Sequence, residues 1–102
     1  MLLSLLVTKQ MIQTFRCKDT RDLFEVKSVC RFVNIQAVVM RKLAMLNRSA
    51  TVDDLKVPFG NRLELLSGDL AGQYSIRINP QWRLCFSWTG RNAQDVELID
   101  YH

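Results

Sequence analysis

The chain has 102 residues, with 14 lysines and arginines against 10 aspartates and glutamates, a net charge of +4 and 48% apolar side chains. That length is one domain, and that composition supports a packed core and excludes intrinsic disorder. The single histidine is the last residue, His102, so no Cys/His quartet and no His-x-x-x-His helix can be built, which excludes the usual zinc hydrolases and leaves no metal or other cofactor expected.

Residues 1–10 begin with an apolar run of six, Leu2 to Val7. The run has no basic flank and falls far short of the ~20 residues that span a bilayer. It reads as an upstream extension, with no membrane association expected, and the domain proper is expected over residues 11–102. Ile12 to Phe15 reads as a short β stretch. Asp19 is placed to cap a short helix running through Glu25, with acids in the first turn where the helix dipole favours them. A longer helix is expected from about Asn34 to Asn47. Its apolar stripe is Ile35, Val38/Val39, Leu43 and Leu46, interrupted by Gln36, Arg41 and Lys42, and Asn34 suits its N-cap. From Asp53 the chain turns, and Pro58-Phe59-Gly60 is a breaker.

Beyond that breaker the period changes from 3.6 to 2. Leu63 and Leu65 alternate with Arg62 and Glu64, and Ser67 to Gly72 makes a loop. Tyr74, Ile76 and Ile78 form one strand stripe, and Trp82, Leu84, Phe86 and Trp88 another. A turn around Gly90 leads to a last strand, Val96 to Tyr101. The order β-α-α-β-β-β-β predicts an α+β domain, with two N-terminal helices packed on one face of a mostly antiparallel sheet. The three cysteines, Cys17, Cys30 and Cys85, are odd in number and form no C-x-x-C pair. They read as reduced thiols of a cytoplasmic protein, each acting as a small hydrophobe.

The Tyr74–Trp88 hairpin carries the chemistry. From Gln73 through Arg91 there are three arginines and no acid. A loop of Asn79-Pro80-Gln81 sets Ile78 against Trp82 and Ile76 against Leu84, which makes the apolar faces coincide. Arg77 then falls opposite Arg83 on the other face, whereas a register one residue shorter mixes the faces. Facing like charges cost up to ~1 kcal/mol. Two readings account for them: Glu64 or Glu97 on a neighbouring strand neutralises the pair, or the face binds phosphate, for which arginine forks have suitable geometry. The ending Asp100-Tyr101-His102 adds a carboxylate, a phenol and an imidazole. On a strand Asp100 and His102 share a face, and an imidazole is suited to proton transfer at neutral pH.

Several segments together resemble a known family. They are Asn61 to Asp69 (NRLELLSGD), Gly72 to Asn79 (GQYSIRIN), Gln81 to Phe86 (QWRLCF) and Val96 to His102 (VELIDYH), with Met11 to Phe15 and Asp53-Asp54-Leu55. This combination is similar to the HigB branch of the RelE/ParE toxin superfamily, with GraT-like toxins nearest. The resemblance implies a RelE-like fold and a bacterial toxin of a type II toxin–antitoxin pair that cleaves mRNA in the ribosomal A site without a metal. It implies as partners a HigA-type helix-turn-helix antitoxin and the 70S ribosome with its mRNA, and operator DNA only through the antitoxin complex. Carried over residue by residue, Arg83 is the sheet arginine after the Trp, and Asp100, Tyr101 and His102 are the catalytic ending. Arg77, Arg62, Glu64 and Ser67 are expected to contact the substrate. Some members have His and Lys where Glu64 and Ser67 stand here, so one proposed base and one phosphate contact are replaced. The implied roles are Arg83 for transition-state charge, helped by Arg77; His102, oriented by Asp100, for proton transfer; and Tyr101 for stacking on or hydrogen-bonding the nucleotide. Arg83→Ala is expected to abolish toxicity and leave the fold intact. The alternative reading is a weakly active relative that serves mainly as antitoxin-binding partner and co-regulator of its operon.

Overall fold

The computed structural model describes residues 12–25, 27–90 and 92–100. The expected N-terminal extension and two of the expected catalytic residues, Tyr101 and His102, lie outside them. Among the described residues two α-helices, α1 (Lys18–Phe24) and α2 (Gln36–Arg48), precede a four-stranded antiparallel sheet. Its strands are β1 (Glu64–Leu65), β2 (Gln73–Arg77), β3 (Trp82–Thr89) and β4 (Asn92–Asp100), in the spatial order β1-β2-β3-β4. Among the described residues no helix is long and apolar enough to cross a membrane.

The first expected strand is reduced to two isolated parallel bridges, Ile12 to Ala93 and Phe15 to Val96. The cause lies in β4. Its register against β3 passes from Cys85–Glu97 to Ser87–Gln94, so β4 carries an extra residue there. Asp95 sits in the bulge at φ 54°, a left-handed conformation that Asp tolerates better than most residues. A bulged strand offers no regular ladder on its outer edge. The N-terminal segment therefore follows it point by point, with Gln13 N donating to Ala93 O at 2.8 Å, Val96 N to Thr14 O at 3.1 Å and Asp95 N to Thr14 Oγ1 at 2.8 Å.

Both helix starts differ from the sequence expectation. Cys17 occupies the N-cap of α1, and Asp19 falls inside the first turn, where it faces the dipole and pairs with Arg31 at 3.5 Å. At α2 the N-cap is Ile35 rather than Asn34. A 3-10 turn at Cys30–Phe32 leads straight in, with Ile35 N bonded to Phe32 O at 3.0 Å, because Phe32 is fully buried and draws the chain inward just before the helix. The expected stripe is otherwise present, with Val39, Leu43 and Leu46 all fully buried. They meet Leu23, Phe32 and Leu55 above the sheet residues Ile76, Leu84, Phe86, Val96 and Leu98, which makes one core.

Helix α1 also caps the sheet edge. Thr20 is buried, and its Oγ1 accepts the backbone N–H of Leu98 at 3.1 Å. Thr20→Val keeps the shape but strands that N–H. A loss of about 1–3 kcal/mol is expected in urea denaturation, with an unchanged slope.

Candidate functional site

The site is built on the β2–β3 hairpin. Asn79 Oδ1 accepts the backbone N–H groups of Gln81 and Trp82, both at 2.8 Å, and Ile78 N donates to Trp82 O at 2.9 Å. These bonds set the register deduced from the pleat: Ile76 pairs with Leu84 and Arg77 with Arg83. Paired residues share a face. Ile76, Leu84 and Phe86 therefore lie under the helices, and Ser75, Arg77, Arg83 and Cys85 lie on the opposite face.

Arg83 is only 6% exposed. Its Nε donates to Ser75 Oγ at 2.7 Å, and its Nη2 donates to the Arg62 carbonyl at 2.7 Å and more distantly to Ser75 O at 3.4 Å. Glu64 Oε1 lies 3.9 Å from Nη2, an ion pair too long for a hydrogen bond. Of the two carboxylates expected to neutralise the arginines, Glu64 thus approaches Arg83, whereas Glu97 pairs across the strands with Cys85. The guanidinium reaches across β2 toward β1 and away from Arg77, which relieves the facing charges. Arg77 is half-buried and makes no ion pair with any described residue. The expectation that Arg83→Ala leaves the fold intact does not fit this geometry, because the side chain ties β2, β3 and the chain at Arg62 together.

The Arg62 carbonyl reaches Arg83 because Arg62 adopts φ 45°, ψ 58°, a left-handed residue ending the Phe59–Asn61 turn. The preceding residue anchors this turn from the other side. Asn61 is fully buried, accepts from Lys42 Nζ on α2, and donates from Nδ2 to Leu55 O at 3.0 Å. Burial, with the Arg41 charge nearby, holds the Lys42 ammonium below the usual lysine range. Between these two anchors lies a cleft of about 480 Å³ lined by Lys56, Phe59, Arg62, Leu63 and Glu64.

The remaining predicted residues are spread around this centre. Ser67 is exposed and precedes the Gly68–Leu70 turn. Asp100 pairs with Trp82 and Ile99 with Arg83, so Asp100 falls on the opposite sheet face from the arginines, where its Oδ2 accepts from Gln81 Nε2 at 3.2 Å. The structure thus brings Arg62, Glu64, Arg77 and Arg83 together and sets Asp100 apart. Sequence reasoning missed Ser75 and Asn61. Ser75 was within reach of it, because the predicted register places Ser75 diagonal to Arg83 on the same face. Asn61 carries no such signal, since its burial depends on a loop closing onto α2. Among the described residues no group of three His, Cys, Asp or Glu side chains could hold a metal.

Residues 7–102 match the family described as the RelE-like toxin of type II toxin–antitoxin system HigB. The chain is 46% identical to Toxin HigB-1 of Vibrio cholerae over 65 residues, 64% of this chain and 68% of that protein. It is 30% identical to Endoribonuclease HigB of Proteus vulgaris over 94 residues, 90% of this chain and all of that protein. Among solved structures, the YoeB-YefM complex from Staphylococcus aureus contains a similar fold, with a TM-score of 0.52 at 17% identity over 89% of this chain and 97% of that one.

Arg83→Ala is expected to lower stability by about 2–4 kcal/mol in urea denaturation, because two oxygen acceptors lose a charged donor. Arg83→Lys is expected to recover only part of it, since one ammonium cannot reproduce the guanidinium fork. Burial pushes the Cys85 thiol from 9.0 up to about 11. Ionisation is therefore harder in the folded chain than in the unfolded one. The Cys85 contribution is complete below about pH 9 and declines as pH rises toward about 11. Unfolding curves across that range should fall more steeply for the natural chain than for Cys85→Ala, and a thiol reagent at pH 8 should label exposed Cys30 but not Cys85.

Proposed function

The chain belongs to the HigB family of RelE-like toxins of type II toxin–antitoxin systems, and on that premise we propose that it is a ribosome-dependent endoribonuclease that cuts mRNA in the A site without a metal ion. Its partners in this reading are a HigA-type antitoxin and the 70S ribosome. It meets operator DNA only through the antitoxin complex, and it acts in the cytoplasm.

The observation that carries the reading is the arginine pair on the sheet face opposite the helices. Arg77 is uncommitted to any described carboxylate, and beside it Arg83 is held by Ser75 and Arg62. The reaction needs a base to remove the ribose 2′-OH proton as that oxygen attacks the adjacent phosphorus. It needs cations for the charge on the pentavalent phosphorus, and an acid to protonate the departing 5′-oxygen. Arg77 meets the phosphate directly, and Arg83 adds positive charge from the floor of the face. His102 moves the proton, with Asp100 as its orienting carboxylate, and Tyr101 packs on or hydrogen-bonds the nucleotide. Glu64, Arg62 and Ser67 contact the flanking substrate. With one imidazole in the chain, His102 serves both proton steps or shares them with Glu64, Asp100 or water.

A second reading draws on Glu64 and Ser67, which stand where some family members have His and Lys. In it the chain is weakly active and serves mainly to bind the antitoxin and co-regulate the operon. Primer extension on cellular mRNA after induction separates the two. Discrete cuts within codons support the nuclease, and intact mRNA with normal translation supports the second reading. Arg77→Ala is expected to reduce cutting about 10²–10³-fold at unchanged stability. Deletion of His102 is expected to reduce it about 10²–10⁴-fold. Undiminished cutting in both variants rejects these assignments.

A further inference from the structure

The cleft beside the arginine face has a feature that the proton-transfer chemistry leaves unused. Phe59 lines it, and its ring is the most exposed of the large apolar side chains among the described residues, at 88%. A phenyl ring held in water stabilises nothing in the folded chain, and this one stands on a turn that is firmly fixed on both sides. Asn61 anchors the turn to α2 and Leu55, and the Arg62 carbonyl anchors it to Arg83. The ring is thus presented on a rigid support and not on a loose loop.

Two cations and one acid line the cleft with it. Lys56 and Arg62 line the same cleft, and the Lys56 pair with Asp53, 3.5 Å apart with both side chains exposed, opens readily to an anion. Glu64, the lining acid, lies 3.9 Å from the Arg83 guanidinium, which offsets its charge. An open aromatic face with two flanking cations, leading onto an arginine-bearing sheet, is complementary to one nucleotide of a single strand: a base on the ring and its phosphate on the cations. A protein partner that buried this ring would gain from apolar contact, but the cations would then require acidic side chains.

From this geometry we infer that Phe59, Lys56 and Arg62 form a stacking subsite for one unpaired mRNA base beside the cut, with the base on Phe59 and its phosphate between Lys56 and Arg62. The inference rests on the nuclease reading and deepens it: the subsite contributes to binding and choice of sequence, and it takes no part in bond breaking. Stacking on one aromatic side chain is sequence-tolerant, so the subsite favours purines through ring area over any single base.

The test uses the full chain on ribosomes programmed with an mRNA that carries one 4-thiouridine, placed in turn at each position flanking the cut. Irradiation is expected to join the chain to the RNA at one of these positions, through the peptide that contains Phe59. Phe59→Ala should weaken that crosslink and raise the apparent KM about ten- to hundredfold, with kcat within about twofold. Phe59→Tyr should retain both. Phe59 is exposed, so these variants fold, and urea denaturation checks that they do. Lys56→Gln with Arg62→Asn, the latter compatible with the left-handed backbone, should raise KM further and reduce its salt dependence. If the natural chain cuts mRNA and Phe59→Ala cuts it with unchanged KM, the subsite is overturned and the nuclease reading stands. If Phe59→Ala keeps KM but no longer copurifies with the antitoxin, the ring belongs to a protein contact and the subsite is likewise overturned. If the natural chain cuts no mRNA on ribosomes, the nuclease reading itself fails, and the subsite fails with it.

Discussion

A single buried cation organises this molecule around the sheet face opposite its helices. A guanidinium as secluded as that of Arg83 costs several kcal/mol unless oxygen acceptors surround it. Ser75 on the next strand supplies a hydroxyl, and the carbonyl of Arg62 supplies a second close acceptor. To bring that carbonyl inward, Arg62 takes a left-handed conformation that costs a non-glycine residue about 1–2 kcal/mol. A hydrogen bond to a charged donor contributes about 1.5–3 kcal/mol and offsets that strain. Arg62, Leu63 and Glu64 are consecutive and all line the cleft, so the shape of the cleft follows from where one arginine needs an oxygen.

The helical layer closes the same loop from the other side. Asn61, adjacent to the strained residue, is sealed inside by Lys42 and by the carbonyl of Leu55. Lys42 appears in the sequence as a polar interruption of the α2 stripe, yet it lies half inside, with its aliphatic stem covered and its ammonium bonded to a buried amide. The chain between Pro58 and Leu65 is thus suspended between a helix and a sheet by polar bonds, and Leu63 is its one apolar side chain packed against the core. Phe59 and Leu65 consequently remain largely exposed, at 88% and 65%.

Periodicity in the sequence makes much of this architecture legible. The α2 stripe and the β2–β3 register both follow from burying one face, because a slip of one residue turns every side chain over. What periodicity did not reveal depends on contacts between segments distant in the chain. The expected strand around Leu63 shrinks to Glu64–Leu65 because the preceding residues answer to Arg83 and Lys42 and not to a ladder. The first strand dissolves into bridges because Asp95, some eighty residues away, bulges the strand it follows. At the site, the arginine pairing was readable and its asymmetry was not. Nothing in the sequence distinguishes the arginine that turns inward from the one that remains open.

That asymmetry bears on how the chemistry can be divided. Arg77 and Arg83 share one sheet face, while Asp100, paired with Trp82, falls on the other. Positive charge and the Asp100 carboxylate are therefore on opposite sides of the sheet. Loss of Arg83 removes charge, releases the Arg62 carbonyl and lets the cleft relax, all in one step. Its effect on rate cannot be read as transition-state stabilisation by that side chain alone, since effects of residues acting as one unit do not add. Arg77 has no such structural ties among the described residues, so a change there reports the charge itself. Comparing the two arginines, rather than removing either alone, separates the electrostatic contribution of the face from the architecture that holds it.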